Sequence, residues 1–484
     1  MTVGADGPAP APTFGQALAF WFKLGWISFG GPAGQIALMH QELVERRRWV
    51  AEGRFLHALN FCMLLPGPEA QQLATYIGWM LHRTWGGVAA GVLFVLPSLL
   101  ILIGLSWLYV VHGQQPQVAA VLWGLKPAVV AVVVAAAQRI GARVLHHPLL
   151  WAMAGTAFVG LTVLQLPFAV LIGAAAVVGW WARDRVPLAF AAGGEGHGAP
   201  AQGDRATAGA HAGERADHAD AADAAASPAI QAARSDAVSF RTSIPSALVC
   251  LTLWAGTLGA LVWAFGAKGT LPQMGAFFTQ AALLTFGGAY AVLPYVFQGA
   301  VDTHHWLTAA QMMDGLALGE TTPGPLIMVV AFVGFLGGAG AQLFGPGEVF
   351  WSGAAAAVVV TWFTFLPSFL FILAGAPLVE RTEALATWRA PLTAITAAVV
   401  GVILHLAVVL AAQVLWSGGL GAGMSLASLQ QMDLAALALG IVAWAVLRSG
   451  RMGVVPVILL AAAVGALTQL DTLGAGVALG AAAR

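Results

Sequence analysis

Residues 57–81 read HALNFCMLLPGPEAQQLATYIGWML, an apolar run broken near its middle by Pro66-Gly67-Pro68. The arms of about nine and thirteen residues are each too short to cross a hydrocarbon core about 30 Å thick, which takes roughly 20 helical residues. Arg54 precedes the run and Arg83 follows it, so both ends are basic. Basic loops collect on the cytoplasmic side. A run with two basic ends reads as a re-entrant hairpin with Pro66-Gly67-Pro68 at its tip; a single kinked span is the other reading the residues allow.

The surrounding composition fits a membrane. Of 484 residues, 59% are hydrophobic and 9% charged, with mean hydropathy +0.82; soluble domains carry about 25% charged residues. The 21 basic and 21 acidic residues cancel, leaving no basic face for nucleic acid. Two cysteines, Cys62 and Cys250, both in apolar segments, exclude a disulfide scaffold and a Cys-rich metal site. No Lys or Arg precedes Phe14, so no basic region of a cleaved signal peptide is visible. The fold class expected is an all-α polytopic membrane protein.

The chain is duplicated. At a shift of 257 residues, Gln16 falls on Gln273, Phe29-Gly30-Gly31 on Phe286-Gly287-Gly288, Trp49 on Trp306 and Pro66-Gly67-Pro68 on Pro323-Gly324-Pro325, with 13 identities from Gln16 to Pro68. Leu96-Pro97-Ser98 then matches Leu366-Pro367-Ser368 at a shift of 270, after a 13-residue insertion. Internal repeats mark many secondary transporters. Runs 86–111, 117–137, 348–375 and 391–413 are long enough to span, whereas 14–45 breaks at Gly30-Gly31-Pro32 and the copies break at Gly287-Gly288 and Pro323-Gly324-Pro325. Residues 46–54 hold four arginines and their copy, 302–311, none, so the halves are expected to be inverted, with 245–266 as the extra span that inversion requires. The domains expected are a first repeat, 1–182, a hydrophilic linker, 183–244, and a second repeat with its leading span, 245–484. The linker region, Ala/Gly/Asp-rich, reads as a solvated tether; metal sensing by its His197, His211 and His218 is the competing reading, although their spacing matches no ligand motif.

Non-helical backbone at membrane depth must be buried in protein or line a wet cavity. Four breaks meeting near the midplane, each followed by a helix N-terminus with a positive dipole end, make an anion site that needs no arginine. Gly30, Gly31, Pro66, Gly67, Gly287, Gly288, Pro323 and Gly324 are the backbone candidates, and Gln35, Gln71, Gln72, Thr75, Thr321 and Thr322 the neutral side chains beside them. Packing kinks are the alternative meaning of the same Gly and Pro residues. Ionisable groups within spans are functional candidates because they are costly there. Lys23, with Gln280 as its copy, is expected to attract the anion unless it snorkels to the interface, and Lys126 carries the weaker form of that expectation. Glu69 and Glu320, beside the two Pro-Gly-Pro tips, either couple or gate with protons or cap the tips. His40 and His57 read as interfacial.

Phe29-Gly30-Gly31-Pro32, the run from Leu65 to Trp79, Thr84-Trp85-Gly86-Gly87 and Leu96-Pro97-Ser98, with Thr285-Phe286-Gly287-Gly288 and Glu320 to Leu326, resemble the chromate ion transporter family, in its long two-domain form. The resemblance covers the chain outside the linker and the N-terminal dozen residues. It implies export of chromate across the bacterial inner membrane, conferring chromate resistance, with sulfate as competitor. The N-terminus and linker are expected to be cytoplasmic, membrane potential to drive efflux, and lipid and, as the oligomer to test for, a second copy to be partners. No cofactor is expected. A sulfate or other oxyanion importer or exchanger, and a passive anion channel, are the alternatives. An enzyme is disfavoured because no His and carboxylate cluster lies within the spans, and ATP hydrolysis because no Gly-Lys-Ser/Thr loop occurs.

Overall fold

The computed structural model describes residues 11–191, 240–379, 385–416 and 432–482, and no strand occurs among them. The first half runs α1 (Phe14–Ile27), α2 (Gly31–His40), α3 (Glu52–Leu64), α4 (Glu69–His112), α5 (Pro116–Val144), α6 (Pro148–Thr162), α7 (Phe168–Ala182) and a single turn, α8 (Leu188–Ala191). The second runs α9 (Phe240–Phe265), α10 (Thr270–Leu283), α11 (Ala289–Phe297), α12 (Ala309–Thr321), α13 (Val329–Ala341), α14 (Val349–Val379), α15 (Leu385–Leu415), α16 (Leu434–Arg448) and α17 (Val454–Ala482). Helices α4, α5, α9, α14 and α15 are long and apolar enough to cross a membrane, matching the five spans read from the sequence. The chain is thus an all-α, multi-pass membrane protein. Within the segment read as a linker, 183–244, α8 and the start of α9 are helical; its three histidines lie outside the described residues.

The duplication extends to backbone detail. A π-helical turn at Gln41–Arg46 recurs at Gln298–Thr303, and the positive φ of Arg48 (51°) recurs at His305 (53°), both at the shift of 257. Phe20 and Trp49 meet edge-on at 5.5 Å, as do Phe277 and Trp306. Arg47 lies over the Phe20 and Trp49 rings, and its copy His304 packs on Phe277 and Trp306.

These contacts also establish the hairpins. In one straight helix Phe20 and Trp49 would lie roughly 43 Å apart at 1.5 Å per residue, so the chain reverses between α1 and α2. The Phe61 and Tyr76 rings, 5.6 Å apart, show the same reversal at Pro66-Gly67-Pro68. The kinked single span is therefore excluded. The chain turns again inside α4 at His82 and Arg83 (φ 55°, ψ −150°), which lays Gly86 against Gly78 and Gly91 against Thr75. In the second half Gly315 packs on Phe332 across the equivalent tip.

The second arm of α4, 84–112, lies beside α14. Gly87 faces Leu373, Gly91 faces Phe369, and the rings of Trp107 and Phe350 are 5.4 Å apart. Numbers rise along one helix as they fall along the other. Equivalent helices of the two halves are antiparallel, so the halves are inverted.

Their packing is not symmetrical. α11 packs along α15, and α12 packs on α5 and α17, whereas α2 and α3 make no comparable contacts with α5, α15 or α7. Most of α11 is buried, but α2 buries only Gln35 and Met39. Accordingly α1, α2, α3 and both arms of α4 share a separate core, including Trp21, Phe55, Tyr76 and Phe94 and closed by Ile372 and Leu373 of α14, while the second half's hairpins merge into the main one.

The chain's path places Arg46, Arg47, Arg48, Arg54, Arg83, Arg139, Arg143, Arg183, Arg185, Arg448 and Arg451 at one face. Among the described residues, Lys268 is the one Lys or Arg at the other face. With Cys62 and Cys250 replaced by Ser, single cysteines at Arg54 and Arg83 are expected to react with an impermeant maleimide from one side only. Cysteines at Lys268 and Glu348 should react from the opposite side, and labelling of Arg54 and Arg83 from different sides would refute the hairpin.

Candidate functional site

All six glycines of the four breaks have positive φ, from 72° at Gly31 to 126° at Gly67. L side chains rarely adopt such angles, which explains glycine there. The two Pro-Gly-Pro tips reach into the opposite half. The Gly67 N–H donates to the Thr285 carbonyl at 2.8 Å, and the Gly324 N–H donates to the Ser28 carbonyl, also at 2.8 Å. Ser28 and Thr285 are equivalent under the 257 shift, as are Gly67 and Gly324. A Cβ at Gly67 would come within 2.6 Å of Ser368 Oγ, and one at Gly324 within 2.7 Å of Ser98 Cβ. Breaks and tips thus form one knot between the halves.

Each helix that starts at a break lacks a side-chain cap: α2 after Gly30, α4 after Pro68, α11 after Gly288, and the turn Leu326–Met328 after Pro325. Elsewhere, α1 and α12 begin with complete capping boxes, and His147 and Asp433 cap α6 and α16. The first N–H groups of a helix need external acceptors. Side-chain caps are also missing at the starts of α3, α5, α7 and α10, so what sets the four break helices apart is that their uncapped starts meet at one place.

The two sides of the knot differ chemically. At the second-half break, Tyr290 donates its hydroxyl to Glu320 at 2.9 Å. Glu69 Oε1 lies 3.9 Å from where a Cβ at Gly288 would stand. Both acids therefore face the Gly288–Tyr290 break, and neither caps a tip. The first-half break carries neutral groups. Gln35 Nε2 donates to the carbonyls of Ser28 (3.3 Å) and Gly324. The Ser28 and Ser98 hydroxyls are fully buried without a hydrogen-bond partner.

Of the remaining candidates, Gln72 donates to the Pro66 carbonyl at 2.7 Å and to Ser368 Oγ at 3.4 Å. Gln71 and Thr75 bond to each other, and Thr321 and Thr322 to carbonyls of their own helix. Lys23 is exposed on α1, without an ion pair among the described residues. Lys126 is engaged: Nζ lies 3.3 Å from Asp314 on α12, whose other carboxylate oxygen accepts from Tyr109 at 2.9 Å. An apolar cleft of about 170 Å³ between α5, α15 and α16 lacks the donors an anion would need. Sequence reasoning missed Ser28, Ser98, Tyr290 and Asp314. Ser98 stood in the duplicated Leu-Pro-Ser, and Asp314 was an acid inside an apolar run.

Inverted repeats with paired helix breaks at a shared centre define the broken-helix class of polytopic membrane proteins. Within that class the chain belongs to the chromate transporter family, whose sequence model matches residues 15–180 and 272–466. The family is one of transporters, not enzymes. A chromate transport protein of Pseudomonas aeruginosa is 31% identical over 396 residues, 81% of this chain and 80% of its own length. A chromate transport protein of Cupriavidus metallidurans is 28% identical over 416 residues, 84% and 85% of the two chains. A probable chromate transport protein of Synechococcus elongatus is 28% identical over 328 residues, 68% and 70%. No solved structure matches the chain.

Two stability measurements test this geometry in purified protein. Gly67→Ala, forced against Ser368 and Gln72 at positive φ, is expected to cost about 1–3 kcal/mol by overpacking, while Gly104→Ala, with open space around it, costs nothing. Lys126→Met alone leaves Asp314 buried and unpaired, at a cost of about 3 kcal/mol; Lys126→Met with Asp314→Leu should recover most of it. Thermal unfolding in detergent reads both.

Proposed function

We propose that this chain is a secondary transporter that exports chromate across a bacterial inner membrane, with sulfate as competitor, and thereby confers chromate resistance. The observation that carries the reading is the knot itself: four helix starts without side-chain caps converge where two inverted halves exchange backbone hydrogen bonds. Helix N-termini favour anions, and neutral dipoles bind a dianion without trapping it. The family match and the names of the relatives supply the chemical identity of the anion. The arginine-rich face is assigned to the cytoplasm by the positive-inside rule, which puts the N-terminus and the linker there too.

Unequal docking of the halves favours alternating access over a fixed channel. The second-half hairpins are sunk against α5, α15 and α17, and Lys126 with Asp314 holds α12 to α5. The first-half hairpins keep a separate core. In a duplicated fold, exchanging these arrangements opens the centre to the opposite face.

Membrane potential supplies the work. One charge crossing 100 mV is worth about 2.3 kcal/mol, so a dianion leaving a negative interior gains about 4.6 kcal/mol. At about 1.4 kcal/mol per tenfold, that sustains an outward gradient of roughly a thousandfold. In this reading Glu69 and Glu320 gate the second-half break. Chromate efflux from proteoliposomes under a clamped potassium-diffusion potential and no pH gradient is expected to rise steeply with potential. Efflux that ignores potential and follows an imposed pH gradient would instead make the two glutamates coupling residues.

A further inference from the structure

We infer that the first-half break alone binds the oxyanion, with Ser28 and Ser98 as its side-chain donors and Gln35 as the residue that positions them, and that the second-half break is not an anion site. This rests on the reading of the chain as an oxyanion transporter and names where in the knot the anion sits.

Ser28 and Ser98 are buried to 0% exposure, and neither hydroxyl has a partner. Unpaired buried hydroxyls are costly, so two of them beside one glycine call for a missing acceptor. Both flank Gly324, whose N–H is given to the Ser28 carbonyl and whose own carbonyl accepts from Gln35. Gln35 thus ties the break to the tip. Beside it, Gly30 and Gly31 have nothing within 4 Å of where a Cβ would stand, and the α2 N-terminus is uncapped. Hydroxyl donors, free helix N–H groups and open space suit a small anion with several acceptor oxygens, which is the chemistry of a tetrahedral oxyanion.

The equivalent groups across the pseudo-axis each have a hydrogen-bond partner. Thr285, the copy of Ser28, donates its hydroxyl to the Ala281 carbonyl at 2.6 Å, and Ser368, the copy of Ser98, accepts from Gln72. Gln35 is replaced there by Val292, and Thr396 packs on Gly287. That break also faces Glu69 and Glu320, which oppose an anion whenever they are ionised, whereas their copies are Leu326 and Met63.

Binding of chromate and of sulfate to full-length protein in nanodiscs, by titration calorimetry, tests the assignment. Ser28→Ala and Ser98→Ala should each weaken both anions roughly tenfold or more, as expected for hydrogen bonds to a charged group. Ser28→Thr, which reproduces Thr285 and its hydrogen bond to the carbonyl four residues back, should weaken both anions to a similar degree. Thr285→Val, Ser368→Ala and Ser106→Ala should change affinity less than twofold; Ser106 is equally buried and unpartnered but lies about 12 Å further along α4. Unchanged affinity in Ser28→Ala and Ser98→Ala, or equal losses in the second-half variants, would overturn the site while leaving the transport reading standing. Unaltered protein that binds neither anion would overturn both.

Discussion

Two backbone hydrogen bonds, Gly67 N–H to the Thr285 carbonyl and Gly324 N–H to the Ser28 carbonyl, organise this molecule. A helix break inside a bilayer exposes peptide groups that lipid cannot satisfy. Neither half satisfies its own. Each tip gives its N–H to a break in the other half, so the two halves have to meet at their centres. Tips that enter from opposite faces can do so only if the halves are inverted. Positive φ at the six break glycines follows from the same demand, because the chain must turn within two or three residues and still present a donor to its partner.

The backbone is duplicated more faithfully than the side chains. Paired π-turns, paired edge-on Phe–Trp contacts and paired tips show two copies of one scaffold. The chemistry placed on it differs: Glu69 and Glu320 against Leu326 and Met63, Gln35 against Val292, Lys126 against Thr396, Asp314 against His57. Symmetry of the scaffold provides two related arrangements of hairpins. The structure has the second-half hairpins docked and the Lys126–Asp314 pair closed, and in the alternating-access reading the unequal side chains set the balance between that arrangement and its counterpart.

Much of the fold was legible because membrane constraints are coarse. Short arms around Pro66-Gly67-Pro68, with Arg54 and Arg83 at both ends, were enough to indicate a hairpin, and the missing arginines at 302–311 were enough to indicate inversion. The site was only partly legible. Breaks are local and visible in sequence, but which side chain faces which break is a matter between halves. Glu69 follows its own tip in sequence yet stands at Gly288 in space. Asp314 looked unremarkable beside the Pro-Gly-Pro motif because its partners, Lys126 and Tyr109, are roughly 200 residues away in the chain. Lys23 looked central from its place in an apolar run, but the face of α1 it occupies is exposed. Ser28 was hidden for a different reason: a hydroxyl next to Phe-Gly-Gly becomes informative only when its copy, Thr285, is found already hydrogen-bonded.

A site built from neutral donors suits a carrier of dianions on energetic grounds. A buried ammonium about 4 Å from each negative charge would interact by several kcal/mol even at an effective dielectric near 20, and that attraction would have to be surrendered at release. Hydroxyls and helix N–H groups bind more weakly than an ammonium, so less attraction has to be surrendered at release. Here the mid-span cation of α5, Lys126, is instead held by Asp314 at 3.3 Å. Its charge is balanced whether or not an anion is present, so the net charge of the empty centre is not forced to change as substrate arrives and departs. The acids at the opposite break then act in the same direction. When ionised they raise the energy of a dianion that strays across the pseudo-axis, which in the proposed site favours the side of the knot where Ser28 and Ser98 stand.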